Sequence, residues 1–195
     1  MDQHLKHLLD HYLDLTLLPD PESAPSHLMA ALFGKLHLAL VAQRSEHIGI
    51  SFPAVQPDRE WLGDRLRLHG SQADLTALMA APWLAGMRDH VRATGVLAVP
   101  PKASYRTVSR VQAKSNPDRL RRRQMRRHGI DADEAIARVP DAAAERLDLP
   151  YIHLRSHSTA QPFRLFIRHG ALQENAIAGT FGTYGLSATT TIPWF

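Results

Sequence analysis

HYLDLTLLPDPESAPSHLMAALFGKLHLALVAQ, residues 11–43, decides the fold. Residues 11–18 read as a strand, and Pro19, Asp20 and Pro21 end it. Ser26 is placed to cap a long helix running to about Gln43, because Leu28, Met29, Leu32, Phe33, Leu36 and Leu40 recur at helical spacing. Further on, Ile48–Phe52 reads as a strand stopped at Pro53, and a second strand follows at Arg65–His69. Ser71 with Asp74 resembles a capping box, and Leu75, Leu78 and Met79 continue it as a helix until Pro82. A last strand at Val96–Val99 meets Pro100-Pro101. The order strand, helix, strand, strand, helix, strand is the ferredoxin-like βαββαβ pattern, a sheet with two helices on one face. The expectation is an α+β protein with a ferredoxin-like domain over residues 10–101. A short helical extension, residues 1–9, precedes it with Leu5, Leu8 and Leu9 on one side.

Beyond the proline pair, residues 102–195 form an expected second α+β domain. Ten of the twenty-three Lys and Arg residues fall between Lys102 and His128, beside one acid, Asp118. Tyr105–Lys114 reads as extended and basic. Asn116 is a good N-cap, Pro117 suits the first helical position and Asp118 complements the helix dipole. A helix over about 117–128 follows, with Gly129 as its C-cap. On it, positions 119, 122, 123 and 126 form one arginine stripe. Like charges at i, i+4 repel, so a polyanion running along the helix is what gives this stripe a reason. A solvated basic face is the plainer reading, but the caps and the scarcity of acids argue against it. Asp131 with Glu134 starts a short helix carrying Ile136 and Val139 and ending at Pro140. Residues 151–155 and 162–168 alternate as strands around Ser156-His157-Ser158-Thr159, and short strands and loops are expected at 179–186 and 192–195.

Composition narrows the function classes. The chain has 195 residues, 44% hydrophobic and 22% charged, which suits one large domain or two small ones. The net charge is +4, and its local origin points to a basic patch rather than a basic surface. With no cysteine there are no disulfides, Cys-based zinc sites or cysteine nucleophiles, which suits a cytoplasmic protein. No uninterrupted apolar run reaches the roughly 20 residues of a membrane span. The start, MDQHLKHLLDHYLDL, does not read as a signal peptide.

There are twelve histidines, but no H-E-x-x-H or H-x-x-E-H motif. His153 and His157 on a strand would stand about 13 Å apart, too far to share an ion, so no metal and no cofactor is expected. Gly34-Lys35 lacks the glycine pattern of a phosphate loop, and no paired acids suit a two-metal nuclease. A nuclease acting on RNA can use the substrate's own 2′-OH as nucleophile. It must align that hydroxyl with the phosphate, remove its proton and stabilise the phosphorane. Histidine suits the base role. The residues alone do not choose which histidine, and His37, late on an apolar helix, would by default be a satisfied core residue.

The stretches LFGKLHLALVAQ (32–43), SRVQAKSNPDRLRRRQMRRH (109–128), LDLPYIHLRSHSTAQPFRLFIRHG (147–170), YGLS (184–187) and the terminal PWF closely resemble the CRISPR repeat-processing endoribonuclease family of type I-F systems. The resemblance is collinear from about Asp10 to Phe195. It implies cleavage of a CRISPR repeat transcript at the 3′ base of its stem-loop, without metal, leaving a 2′,3′-cyclic phosphate. It makes His37 the general base, Ser156 the residue that positions the 2′-OH and ribose, Ser158 a secondary candidate, and Tyr184 the residue that orients the histidine. Arg110 and Gln112 would read base edges of the last stem pairs, with Lys114 and Ser115 of the same stretch also on the RNA. Arg119, Arg122, Arg123, Arg126 and Arg127 would lie on phosphates, Arg123 reaching also toward the scissile end or loop, and Phe163 would stack on the terminal pair. The A-form major groove is deep and narrow, so a helix enters only where the duplex is short and ends nearby. The chain departs from the family pattern at His157, where Gln is expected, at Ala160 and Pro162, and at Gly182-Thr183 before Tyr184.

The leading expectation is an endoribonuclease that matures CRISPR RNA, remains on its product as a monomer, and joins other subunits of a surveillance complex away from any membrane. The alternative is a non-catalytic RNA-hairpin-binding subunit. A DNA-binding regulator ranks last, since no dimeric reading helix or coiled coil is evident.

Overall fold

The computed structural model describes residues 9–56, 59–112, 117–140, 147–156 and 160–195, with backbone only for 117–119. Residues 1–8 of the expected extension, the expected cap Asn116, and Lys114, Ser115, His157 and Ser158 lie outside the described residues, as does the side chain of Arg119.

The first sheet is built from β1 (His11–Leu17), β2 (Gly49–Ser51), β3 (Arg65–Gly70), β4 (Val91–Ala93) and β5 (Leu97–Ala98). Its order is β2-β3-β1-β4, with β5 also on β1, and these neighbours run antiparallel. With α1 (Pro25–Gln43) between β1 and β2, and α2 (Gln72–Ala80) between β3 and β4, this is the ferredoxin-like arrangement. The fourth strand is split. Val91–Ala93 pairs with Leu15–Leu17, and Leu97–Ala98 pairs with His11–Tyr12. Between the halves Asp14 and Thr94 exchange hydrogen bonds of 2.9 Å, one through the Thr94 hydroxyl. The sequence showed only the second half, because Val-Arg-Ala is too short to display a period.

Alternation along β1 sends Leu13, Leu15 and Leu17 to one face, opposite Leu66 and Leu68 of β3. The buried stripe of α1, Leu28, Met29, Leu32, Phe33, Leu36, Ala39 and Leu40, belongs to the same core. This helix has the length and mean composition to cross a bilayer, but its apolar stripe is used up in that core. Its start differs from expectation. Ala24 is the N-cap, Pro25 takes the first turn, and Ser26 lies inside the helix. Proline's fixed φ and missing N–H suit that position without a side-chain cap. Ser71 does cap α2, accepting from the Asp74 N–H at 3.1 Å.

The other face of β1 carries Asp14 beside its cross-strand partner Arg67, which are 7% and 6% exposed. The guanidinium grips the carboxylate with Nε–Oδ1 at 2.7 Å and Nη2–Oδ2 at 2.9 Å. It also lies 4.6 Å from the Tyr12 ring centroid and 4.1 Å from that of Phe195. Two-point hydrogen bonding answers the desolvation of both charges, and a third bond, from Arg67 Nη1 to the Phe195 carbonyl at 3.2 Å, ties the chain's last residue to β3.

The second sheet has the order β7-β8-β6-β9, with β6 (Ser104–Val111), β7 (Tyr151–Arg155), β8 (Pro162–His169) and β9 (Ser187–Trp194). β9 is longer than the fragments expected at the C-terminus. Its Thr189-Thr190-Thr191 run lacks apolar alternation, and Pro193 reads as a breaker, yet β-branched threonines suit strands and an edge strand tolerates proline. The proline pair 100–101 separates the strands of the first sheet from those of the second. Compactness divides the chain otherwise: residues up to Arg110 with Leu149–Phe195 form one unit, and Val111–Asp148 another.

That second unit contains α3 (Pro117–His128) and α4 (Ala132–Arg138). Gly129, at φ +62°, ends α3 with a 2.9 Å bond from its N–H to the Met125 carbonyl. The Asp131 side chain starts α4 by accepting from the Glu134 N–H at 2.8 Å.

Candidate active site and nucleic-acid interface

His37 occupies the last third of α1, one turn after the buried Phe33. It is half-buried, and its Nδ1 lies 2.9 Å from the carbonyl oxygen of Thr183. A carbonyl only accepts, so Nδ1 carries the proton and Nε2 keeps its lone pair in the neutral ring. The ring stacks on Tyr184 with centroids 4.0 Å apart and planes 12° from parallel. Tyr184 in turn lies parallel to Phe33 at 5.9 Å. The histidine is therefore fixed twice, in tautomer by a carbonyl and in plane by a ring.

Both fixtures come from one turn. The Gly185 N–H bonds the Gly182 carbonyl at 2.8 Å, placing Thr183 and Tyr184 at the two central positions. The turn is pinned to β2 by the Ile50 N–H on the Gly185 carbonyl at 2.9 Å. Gly185 sits at φ +68°, and a Cβ there would meet Ile50 Cγ2 at 2.7 Å. Only glycine satisfies both the backbone angle and the approach.

Ser156 follows directly on β7. Its N–H bonds the Gln161 carbonyl at 2.9 Å, and the Ala160 N–H returns to the Ser156 carbonyl at 2.8 Å, with Ala160 at φ +53°. The serine thus stands at the mouth of the β7–β8 hairpin. Arg110, exposed near the end of β6, holds its guanidinium carbon 5.8 Å from the Phe163 centroid and 6.0 Å from that of Tyr184.

His37, Ser156, Tyr184, Arg110 and Phe163 line one cleft of about 770 Å³. Five residues singled out in the sequence, spread over almost 150 positions, share one space. Lys35, His153 and Arg155 also line it, and among the described residues no acid does. Such a cleft suits a phosphate. The sequence gives little sign of these three. Lys35 stands out there only as a failed phosphate loop, and nothing local marks His153 or Arg155 as lining a cleft with α1. A smaller cavity of about 380 Å³, lined by Val99, Pro100, Tyr105, Ile177 and Phe181 among others, contains none of the expected groups.

Other histidines have different surroundings. His69 is fully buried, with Nε2 2.8 Å from the Ser51 hydroxyl, and burial, with the nearby Arg67 charge, lowers its pKa to about 3. His169, between Phe52 and Trp194, is lowered to about 4 by burial and by Arg106. Both belong to the frame. Among the described residues no cluster of three His, Cys, Asp or Glu could hold a metal ion.

In the helical unit, Arg122, Arg123, Arg126 and Arg127 are exposed, while Leu120, Arg121, Gln124 and Met125 are half-buried. At 100° per residue these are opposite arcs of α3. The inner arc meets α4, where Arg121 Nε donates to the Val139 carbonyl at 2.8 Å. Gln112 is exposed just after β6.

Comparison with known proteins adds a second line of argument. A protein of Pseudomonas aeruginosa (strain UCBPP-PA14), described as CRISPR-associated endonuclease Cas6/Csy4, is 58% identical over 187 residues, 96% of this chain and 100% of its own. One of Escherichia coli (strain UTI89 / UPEC), described in the same words, is 48% identical over the same shares. A solved structure described as an RAMP protein binding different RNA substrates covers 93% of this chain and 98% of its own at 15% identity and a TM-score of 0.33, too distant to add to the argument. The family model described as CRISPR-associated protein (Cas_Csy4) matches residues 12–195, and with nearly the whole chain inside that match, the chain belongs to the Cas_Csy4 family.

Proposed function

We propose that this chain is a metal-independent endoribonuclease that cuts CRISPR repeat transcripts at the 3′ base of the repeat stem-loop. The observation that carries the reading is the hydrogen bond from His37 Nδ1 to the Thr183 carbonyl, which leaves Nε2 as the proton acceptor in a cleft with no acid among its described lining residues. The relatives described as CRISPR-associated endonucleases support the same class of activity.

In this reading Ser156 holds the ribose so that its 2′-oxygen lies in line with the scissile phosphorus. His37 Nε2 takes the 2′-OH proton as the O2′–P bond forms. The resulting imidazolium is held by the Thr183 carbonyl, which is favourably placed for a fully protonated ring, and by the Tyr184 face. Lys35, Arg110 and Arg155 surround the phosphorane with positive charge. The P–O5′ bond breaks, the 5′-oxygen takes up a proton from solvent, and the upstream fragment keeps a 2′,3′-cyclic phosphate. No step calls for a metal, because the nucleophile belongs to the RNA and the base to the protein.

Recognition rests on the exposed arginines of α3 along the stem phosphates, on Arg110 and Gln112 at base edges, and on Phe163 under the terminal pair. One stem interface serves substrate and product alike, so the protein stays on the processed RNA. It acts in the cytoplasm as a monomer on that RNA, among the other subunits of a type I-F surveillance complex.

The test is cleavage of a labelled repeat stem-loop in excess EDTA by the wild type and by His37→Ala. Cleavage by the wild type alone, ending in a cyclic phosphate, supports the reading. Tight binding with no cleavage by either protein replaces it with a non-catalytic hairpin binder.

A further inference from the structure

We propose that the outer face of the β7–β8 hairpin is a platform for the single-stranded RNA that continues 3′ of the cut; this rests on the endoribonuclease reading above. Along β7, Tyr151, His153 and Arg155 share one face by strand alternation, while Ile152 and Leu154 turn to the core side. The register His153↔Arg164 brings Arg164 of β8 onto the outer face, and Arg168 follows four positions later. His153, Arg155, Arg164 and Arg168 are all exposed.

The side chains on this face are pre-ordered. The His153 ring stands edge-on to Tyr151 with centroids 5.0 Å apart, and the Arg164 guanidinium lies 4.7 Å from the Tyr151 centroid. Among the described residues no carboxylate forms an ion pair with Arg155, Arg164 or Arg168. Glu60 meets Tyr151 at the start of β7, where its carbonyl accepts from the Tyr151 N–H at 3.2 Å and its side chain is hydrogen-bonded to the Tyr151 hydroxyl. Rings interleaved with such cations along two paired strands, with Phe166 buried against Tyr151 between Arg164 and Arg168, match the needs of unstacked nucleotides, whose bases stack and whose phosphates seek charge. A duplex does not need the rings, since its bases are already stacked.

Position gives the occupant. β7 runs straight into Ser156, and His153 and Arg155 line the cleft that holds His37. A strand leaving the scissile phosphate passes directly onto this face, which extends along β7 for about 13 Å from Tyr151 to Arg155.

The experiment uses the repeat stem-loop of the Pseudomonas aeruginosa strain, with a 2′-deoxy nucleotide just upstream of the cut to block reaction. Three RNAs are compared by fluorescence anisotropy at low salt: the bare stem-loop, one with about five added 3′ nucleotides, and one with about five added 5′ nucleotides. The wild type is expected to bind the 3′-extended RNA about fivefold tighter or more than the bare stem-loop. Arg164→Ala with Arg168→Ala, and separately His153→Ala, should erase that gain, and the arginine pair should leave bare stem-loop affinity unchanged. A gain confined to the 5′-extended RNA overturns the proposal. Equal binding of all three RNAs by the wild type, or a gain that survives the substitutions, overturns the proposal. Failure of the wild type to bind even the bare stem-loop would instead remove the endoribonuclease reading.

Discussion

The His37 cleft and the α3 helix are built in opposite ways. The cleft gathers α1, the end of β6, the β7–β8 hairpin and the 182–185 turn, and its central ring is fixed by a carbonyl and a stacked tyrosine. The helix is one contiguous segment whose outer arc is four exposed arginines. In the proposed function, chemistry requires one lone pair held at one place, which a packed frame supplies. Polyanion binding requires charge density along a line, which a single helix supplies. The difference teaches where each function is vulnerable: the cleft to any change of geometry, the helix only to loss of charge.

The largest effect to expect is from His37→Ala. Removing a general base costs about 10²–10⁴ in rate, while stem-loop affinity stays within about twofold because a base adds little ground-state binding. Single-turnover cleavage and equilibrium binding, measured side by side, check it; a loss of affinity matching the loss of rate would make His37 structural and erase the contrast.

Gly185→Val comes next. It places a β-branched side chain at φ +68° against Ile50, at a cost of about 1–3 kcal/mol in strain. The turn holding Thr183 and Tyr184 must shift, and cleavage is expected to fall by about tenfold or more while binding through α3 persists. Unaltered cleavage would show that the turn does not hold the histidine.

Arg122→Ala with Arg126→Ala tests the helix. Affinity should drop by about tenfold at moderate salt, and the slope of log K against log salt should become shallower by roughly 0.7–0.9 for each phosphate no longer neutralised. Cleavage at saturating protein should not change. An unchanged slope would place the phosphate-binding cations elsewhere.

Acid tests the packed frame. His69 and His169 remain neutral in the folded protein down to about 3 and about 4, whereas in the unfolded chain they take up protons below about 6.5. The unfolded state therefore binds more protons in that window. Stability is full above pH 6.5 and declines as pH falls, by up to roughly 1.4 kcal/mol per pH unit for each histidine. Denaturant melts at pH 7 and pH 5 measure this, and His69→Gln should flatten the dependence.

The smallest effect is expected from Tyr184→Phe. The ring stack, rather than the hydroxyl, is what meets His37, so cleavage should stay within about threefold of the wild type. Tyr184→Ala should cost more. Equal losses in the two variants would assign the role to the hydroxyl.

Whatever is local and periodic in this protein was legible in its residues. The stripe of α1 and the Ser71 cap could be read because burial of one helix face and the satisfaction of free N–H groups leave marks a few residues apart. So could the arginine arc of α3, with Gly129 behind it, because charge repeats visibly at helical spacing. The family likeness then marked His37, Ser156 and Tyr184 as a set, which periodicity alone had left open. The split fourth strand and the threonine-rich β9 were not legible, since each is a strand only through the partner that fills its hydrogen bonds. Nor was the tautomer of His37, with Nδ1 as the donor and Nε2 as the free nitrogen. That depends on a carbonyl 146 positions away, brought within 2.9 Å by a glycine turn pinned to β2. A hydrogen bond acts over ångströms in space and has no period along the chain, so only the tertiary structure could decide it.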